Sequence, residues 1–179
     1  MLIPGWRCPE ESLELMRQYL RWLGHDARHW GRGTNRGRVE EDAHAVAASL
    51  SEPVTLVGWS LGGVVAREVA REFPDKVRSV VTFGTPVTGP GHTIAAASYG
   101  PGACTRIAER IAARDRAHPI RTRVDIIFSR RDRVVSWPAS IDRVSPNAVH
   151  HEVTASHAGL CLDPDVWDIV SRGVAPRAD

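Results

Sequence analysis

The chain has 179 residues, of which 42% are hydrophobic and 25% charged, a balance that suits one globular domain with its own core and excludes a disordered segment. Its 23 basic and 21 acidic residues leave a net charge of +2, and the basic residues, all arginine but one, are scattered among acids, so no nucleic-acid partner is expected. No apolar run reaches the roughly 20 residues a membrane span needs, no basic-then-apolar leader opens the chain, and Cys8, Cys104 and Cys161 show neither disulfide-framework nor zinc spacing; the expectation is a soluble, cytoplasmic protein with free thiols and no metal.

In chain order, Leu2-Ile3 reads as a short strand running into Pro4-Gly5. Leu13, Met16, Leu20 and Leu23 recur at helical spacing and Gly24 closes that helix. His25 to Trp30 reads as a second short strand, and Val39, Ala43, Val46, Ala47 and Leu50 mark a second helical stripe. Val54 to Gly58 is a bounded apolar strand; a helix follows, with Leu61, Val64, Val65 and Val69 on one face and Arg67, Glu68, Arg71 and Glu72 on the other, ending at Pro74. Val77–Phe83, Val124–Phe128 and Val149–Val153 supply three further strands, and Asp163-Pro164 caps a last helix carrying Val166, Ile169 and Val170. Strands apolar on both faces that alternate with helices predict a six-stranded, mostly parallel sheet inside a three-layer α/β/α sandwich. The segment at about 87–120 departs from this rhythm, rich in Gly and Pro at first and then helical through Ile107 and Ile111. It reads either as a long crossover or as a small lid over a site; with no linker or repeat, residues 1–179 form a single domain.

The segment "VTLVGWSLGGVVAREVA" sets Ser60 between Gly58 and Gly62 where the strand gives way to the helix. The pentapeptide alone is a weak signal, but a sharp strand-to-helix turn is where a nucleophilic serine is exposed, flanked by glycines because side chains would collide there. A serine hydroxyl needs a base, and the base needs an acid to orient it. Both follow in the order Ser, Asp, His: "IFSRRDRVV" places Asp132 just beyond a strand, and "VTASHAGL" places His157 just beyond the last one. Carboxyl ends of parallel strands share one sheet edge, so the three residues can converge. In "LIPGW", Gly5 lets the backbone turn close to the nucleophile, which assigns the backbone N–H groups of Trp6 and Leu61 as oxyanion donors.

"GWSLGG", "SRRDRVV", "SHAGL" and "LIPGW" resemble the α/β-hydrolase superfamily, specifically its small bacterial esterase and lipase-like branch, and "TFGTPVTG" is similar to a Gly-Thr-Pro segment of lipase-like members. The resemblance extends over nearly the whole chain. It implies a minimal form of the fold lacking the family's first two strands, with spatial order 2-1-3-4-5-6. It also implies carboxylic-ester hydrolysis through an acyl-enzyme, a small-molecule ester substrate, and no metal or organic cofactor. The chain departs in starting almost inside its first strand, in having Pro4 where many relatives have histidine, and in the shortness of the 87–120 segment, which implies a shallow acyl groove.

The competing residues have plainer readings. His150 and His151 lie within a strand and read as structural, while His92 reads as a solvent-facing loop residue. Asp125 opens its strand, Asp142 lies far into the next connection, and Asp163 is a helix N-cap. Arg130, Arg131 and Arg133 read as a solvated loop, and Trp59 and Trp137 suit pocket wall and core equally. No GxGxxG follows the first strand or the Ser60 turn, which counts against a dinucleotide site. Two other classes share the pattern: a thioesterase or acyltransferase running on the same triad, and a non-catalytic binding module on the same fold.

Overall fold

The computed structural model describes residues 1–98 and 102–175. Five strands form one sheet in the order β1 (Leu2–Ile3), β2 (Val54–Trp59), β3 (Val77–Phe83), β4 (Arg123–Ser129), β5 (Ala148–Val153), and every neighbouring pair is parallel. Helices α1 (Glu14–Trp22), α2 (Val39–Ser49), α3 (Leu61–Glu72) and α4 (Ala103–Ala117) lie in the connections between strands, and α5 (Pro164–Val174) follows β5.

Alternation along the strands builds two cores. Val57, Val81 and Ile127 face Leu13, Met16 and Leu20 of the α1 region and Val166, Ile169 and Val170 of α5. Their sequence neighbours Leu56, Val80 and Ile126 face Ala43 and Val46 of α2 and Val65 and Val69 of α3. Successive side chains of a strand point to opposite faces, so a continuous apolar run is what a sheet covered on both sides requires. β5 is the exception: it pairs only with β4, and Val149 is 40% exposed.

The expected sixth strand, His25–Trp30, is reduced to a single parallel bridge between His29 and Leu2, with Leu2 N–H donating to Arg28 O at 2.8 Å. It lies at the free edge of β1, where the predicted order puts it. β1 is itself two residues long and offers little ladder to extend, and the chain then turns away through Gly31 and Gly33, both at positive φ. The 87–120 segment contains short 3₁₀ turns at Pro90–His92 and Ile94–Ser98 followed by α4; its residues 99–101 and the side chain of His92 lie outside the described structure. Among the described residues no helix is long and apolar enough to cross a membrane.

Candidate active site

Because all strands run parallel, the residues after β1, β2, β3, β4 and β5 gather at one sheet edge. Ser60 separates Trp59, the end of β2, from Leu61, the start of α3, and adopts φ 53°, ψ −123°. A non-glycine residue at positive φ is costly and persists where its surroundings fix it. Here Ser60 N–H donates to Phe83 O at 2.9 Å and Ser60 O accepts from Gly63 N–H at 3.0 Å. The flanking glycines are demanded by packing: a Cβ at Gly58 would lie 2.5 Å from Gly62 O and Gly63 N, and one at Gly62 would lie 2.2 Å from Ile3 O and 2.5 Å from Pro4 O. A Cβ at Gly63 would meet the Thr85 hydroxyl of the "FGTP" turn.

Asp132 follows β4 and is 6% exposed; His157 follows β5 and is 9% exposed. Their side chains meet, His157 Nδ1 lying 2.6 Å from Asp132 Oδ2, while Asp132 Oδ1 accepts from the N–H groups of Val134 and Val135, each at 2.8 Å. A carboxylate only accepts, so Nδ1 carries the proton in this pair. The imidazole rests against the Trp59 indole, ring centroids 5.4 Å apart, and over Gly84, where a Cβ would lie 3.1 Å from its Cε1 and Nδ1. Ser60 is thus bonded to Phe83 and His157 lies over its neighbour Gly84. Among the described residues no hydrogen bond joins Ser60 Oγ to the imidazole.

A Cβ at Gly5 would lie 3.0 Å from Trp59 Cε3 and 3.3 Å from Ser60 Cβ, so the turn after β1 runs close to the serine. The N–H groups of Trp6 and Leu61 donate to no protein acceptor among the described residues. Two residues at this edge escape the motif search. Ser129, 1% exposed, accepts through Oγ from Arg131 N–H at 3.0 Å and Ala155 N–H at 3.2 Å, tying the Asp132 and His157 loops together. Asn35 is fully buried beneath the Trp6 turn. Its only local signal is an Asn among glycines in "GTNRG", which marks a turn without saying what the turn touches.

The competing groups are engaged elsewhere. Asp125 binds Arg123 at 2.6 Å and His151 at 2.9 Å; burial pushes its carboxyl up, but the Arg123 and His151 bonds outweigh this and hold it below the usual carboxylate range. Asp142 pairs with Arg67 at 2.8 Å, so Arg67 is buried rather than on the solvent face the helical stripe suggests. His150 Nε2 accepts from Asp142 N–H at 3.1 Å, and Asp163 Oδ1 caps α5 through Asp165 N–H at 2.9 Å. Arg131 and Arg133 are exposed; Arg130 pairs with Glu152 and stacks 4.4 Å over the ring of Trp137. Trp59 is core, and half-buried Trp137 helps line an open cleft of about 430 Å³ with Ile94, Val134 and Asp132. The cleft lies between Gly91–Ile94 and the loop that carries Asp132. Burial raises the thiol of Cys8, and burial together with Cys8 pushes that of Cys161 up to about 12.

A family profile described as the alpha/beta hydrolase fold matches residues 42–102. A pimeloyl-[acyl-carrier protein] methyl ester esterase of Neisseria meningitidis is 52% identical over 42 residues, covering 24% of this chain and 16% of that protein. The enzyme of the same name from Aromatoleum aromaticum is 36% identical over 80 residues, 43% of this chain and 32% of that protein. The matched segments therefore span less than a third of these relatives' length. The monoacylglycerol lipase of Paleococcus ferrophilus superposes with a TM-score of 0.69 at 17% identity, covering 96% of this chain and 90% of that one, a likeness of fold. The parallel sheet, the strained serine turn between β2 and α3, the profile match across that turn and the superposition on solved structures give the chain an α/β-hydrolase fold.

Proposed function

We propose that the protein is a serine hydrolase of carboxylic esters, with Ser60 as nucleophile, His157 as general base and acid, and Asp132 as its orienting carboxylate. The observation that carries this reading is the buried His157–Asp132 hydrogen bond of 2.6 Å beside the φ 53° turn that presents Ser60. His157 Nε2 takes the Ser60 proton as Oγ attacks the acyl carbonyl. The tetrahedral oxyanion is received by the N–H groups of Trp6 and Leu61, the latter at the N-terminal end of α3 where the helix dipole favours negative charge. His157 then protonates the departing alcohol, and the same base activates water to release the acid from Ser60. Asp132 steadies the imidazolium at each step.

The segment at 87–120 serves as a short lid, and Ile94 and Trp137 supply apolar surface for a small or medium acyl chain. The names of the relatives, esterases and a lipase, support an ester as substrate. Hydrolysis of a p-nitrophenyl ester series from acetate to palmitate, wild type beside Ser60→Ala, tests the reading. Wild type is expected to peak at one chain length, with kcat/KM falling about 10⁴-fold or more in the variant. A folded wild-type protein inactive on every ester refutes ester hydrolysis, and an unchanged Ser60→Ala refutes the nucleophile.

A further inference from the structure

Asn35 sits between β1 and α2 and makes four hydrogen bonds, three of them to the turn after β1. Its Nδ2–H donates to Pro4 O at 2.8 Å, its backbone C=O accepts from Arg7 N–H at 2.7 Å, and its backbone N–H donates to Cys8 O at 3.1 Å. These bonds hold the chain on either side of Trp6, at Pro4 before it and at Arg7 and Cys8 after it. The fourth, from Gly37 N–H to Asn35 Oδ1 at 2.9 Å, closes a turn on Asn35 itself. The side chain is fully buried, so its amide spends both polar atoms on this one task.

Two features show that the grip constrains the turn. Arg7 is held at φ 60°, a conformation an L-residue adopts at a cost unless its neighbours impose it, and its N–H is the one bonded to Asn35 O. Gly37, at φ +81°, approaches so closely that a Cβ there would lie 3.3 Å from Trp6 Cδ1 and Nε1 and 3.6 Å from Leu61 Cδ2. The Asn35–Gly37 turn therefore lies close to the side chains of both residues assigned as oxyanion donors.

We propose that Asn35 is a positioning residue that sets the Trp6 N–H for the oxyanion. The inference rests on the hydrolase reading above. An oxyanion donor works only when aimed in advance at the place where charge develops. Losing the Pro4 bond lets the Pro4–Cys8 turn shift without removing any group that binds ground-state ester, so kcat falls and KM holds.

The test compares wild type with Asn35→Ala and Asn35→Asp, the latter keeping side-chain volume and the acceptor for Gly37 N–H should the alanine variant fail to fold. Three quantities are read: ester kinetics, inhibition by an alkyl boronic acid whose serine adduct mimics the tetrahedral oxyanion, and amide hydrogen exchange. The expected result is a kcat loss of about 10- to 100-fold with KM within about two-fold. Boronate affinity falls in parallel with kcat/KM, and exchange quickens at Trp6, Arg7 and Cys8 but not in β3. Wild-type kcat in a folded variant overturns the proposal, as does a loss confined to KM or unaltered exchange at all three amides. A wild type inactive on all esters overturns the hydrolase reading instead, while exchange still decides whether Asn35 holds the turn.

Discussion

At the scale of single residues, the site depends on atoms that are missing as much as on those present. Gly62 admits the carbonyls of Ile3 and Pro4 where a methyl group would stand 2.2 and 2.5 Å from them, and neither backbone oxygen can swing aside. Gly62→Ala is expected to destabilise the protein by about 1–3 kcal/mol, as overpacking does, seen as a lower urea midpoint, and to displace the Trp6 turn enough to depress ester turnover. The Gly58-x-Ser60-x-Gly62 pattern was legible in the sequence because this steric demand is local, arising within one strand-to-helix turn. Asn35 was not legible, because its partners lie about thirty residues away at Pro4.

Among the elements, α4 is held differently from the rest. Of its described residues only Asp115 is buried, and the helix is fastened near its C-terminal end by polar contacts to α3: Arg71 to Asp115 and to His118 O, and Arg114 to Glu68 and Glu72. Few buried apolar contacts place a segment at the low end of local stability. Asp115→Ala is therefore expected to speed amide exchange through α4 while leaving β3 and β4 at wild-type protection. Equal acceleration in those strands would mean that α4 is integral to the core and not a separable cover. The amphipathic pattern of α1 and α5 was read correctly from spacing, since each buries one face against the sheet. For α3 the spacing misleads at Arg67, because the helix is also covered by the chain before β5, where Asp142 waits.

For the whole molecule, the Arg67–Asp142 pair links α3 to the connection between β4 and β5, and both side chains are almost fully buried. Burial alone would push the Asp142 carboxyl up; Arg67 and the N–H groups of Val144 and Ser145 outweigh that and hold it well below the usual carboxylate range. A folded-state pKa below the unfolded value near 3.8 means stability that is fully present above that value and lost as pH falls through the lower one. Asp142→Asn is expected to cost about 3–5 kcal/mol at pH 7, since it leaves a buried guanidinium uncompensated. The difference from wild type in urea unfolding should stay flat from about pH 5 to 8 and shrink below about pH 4. A difference independent of pH would show that the pair contributes packing and not charge.

The sequence by itself determined the alternation of strands and helices, the parallel sheet, the Ser60 turn and the order Ser60, Asp132, His157, because hydrophobic period and turn chemistry are written in neighbouring residues. Only the tertiary structure decided that His25–Trp30 contributes one bridge and not a strand, that Asp132 meets His157 while Asp125 and Asp142 are engaged by Arg123, His151 and Arg67, and that Asn35 and Ser129 hold the loops. Those outcomes depend on which distant groups reach the same small volume first, and hydrogen-bond satisfaction in a buried space is a property of the packed chain that no local pattern encodes.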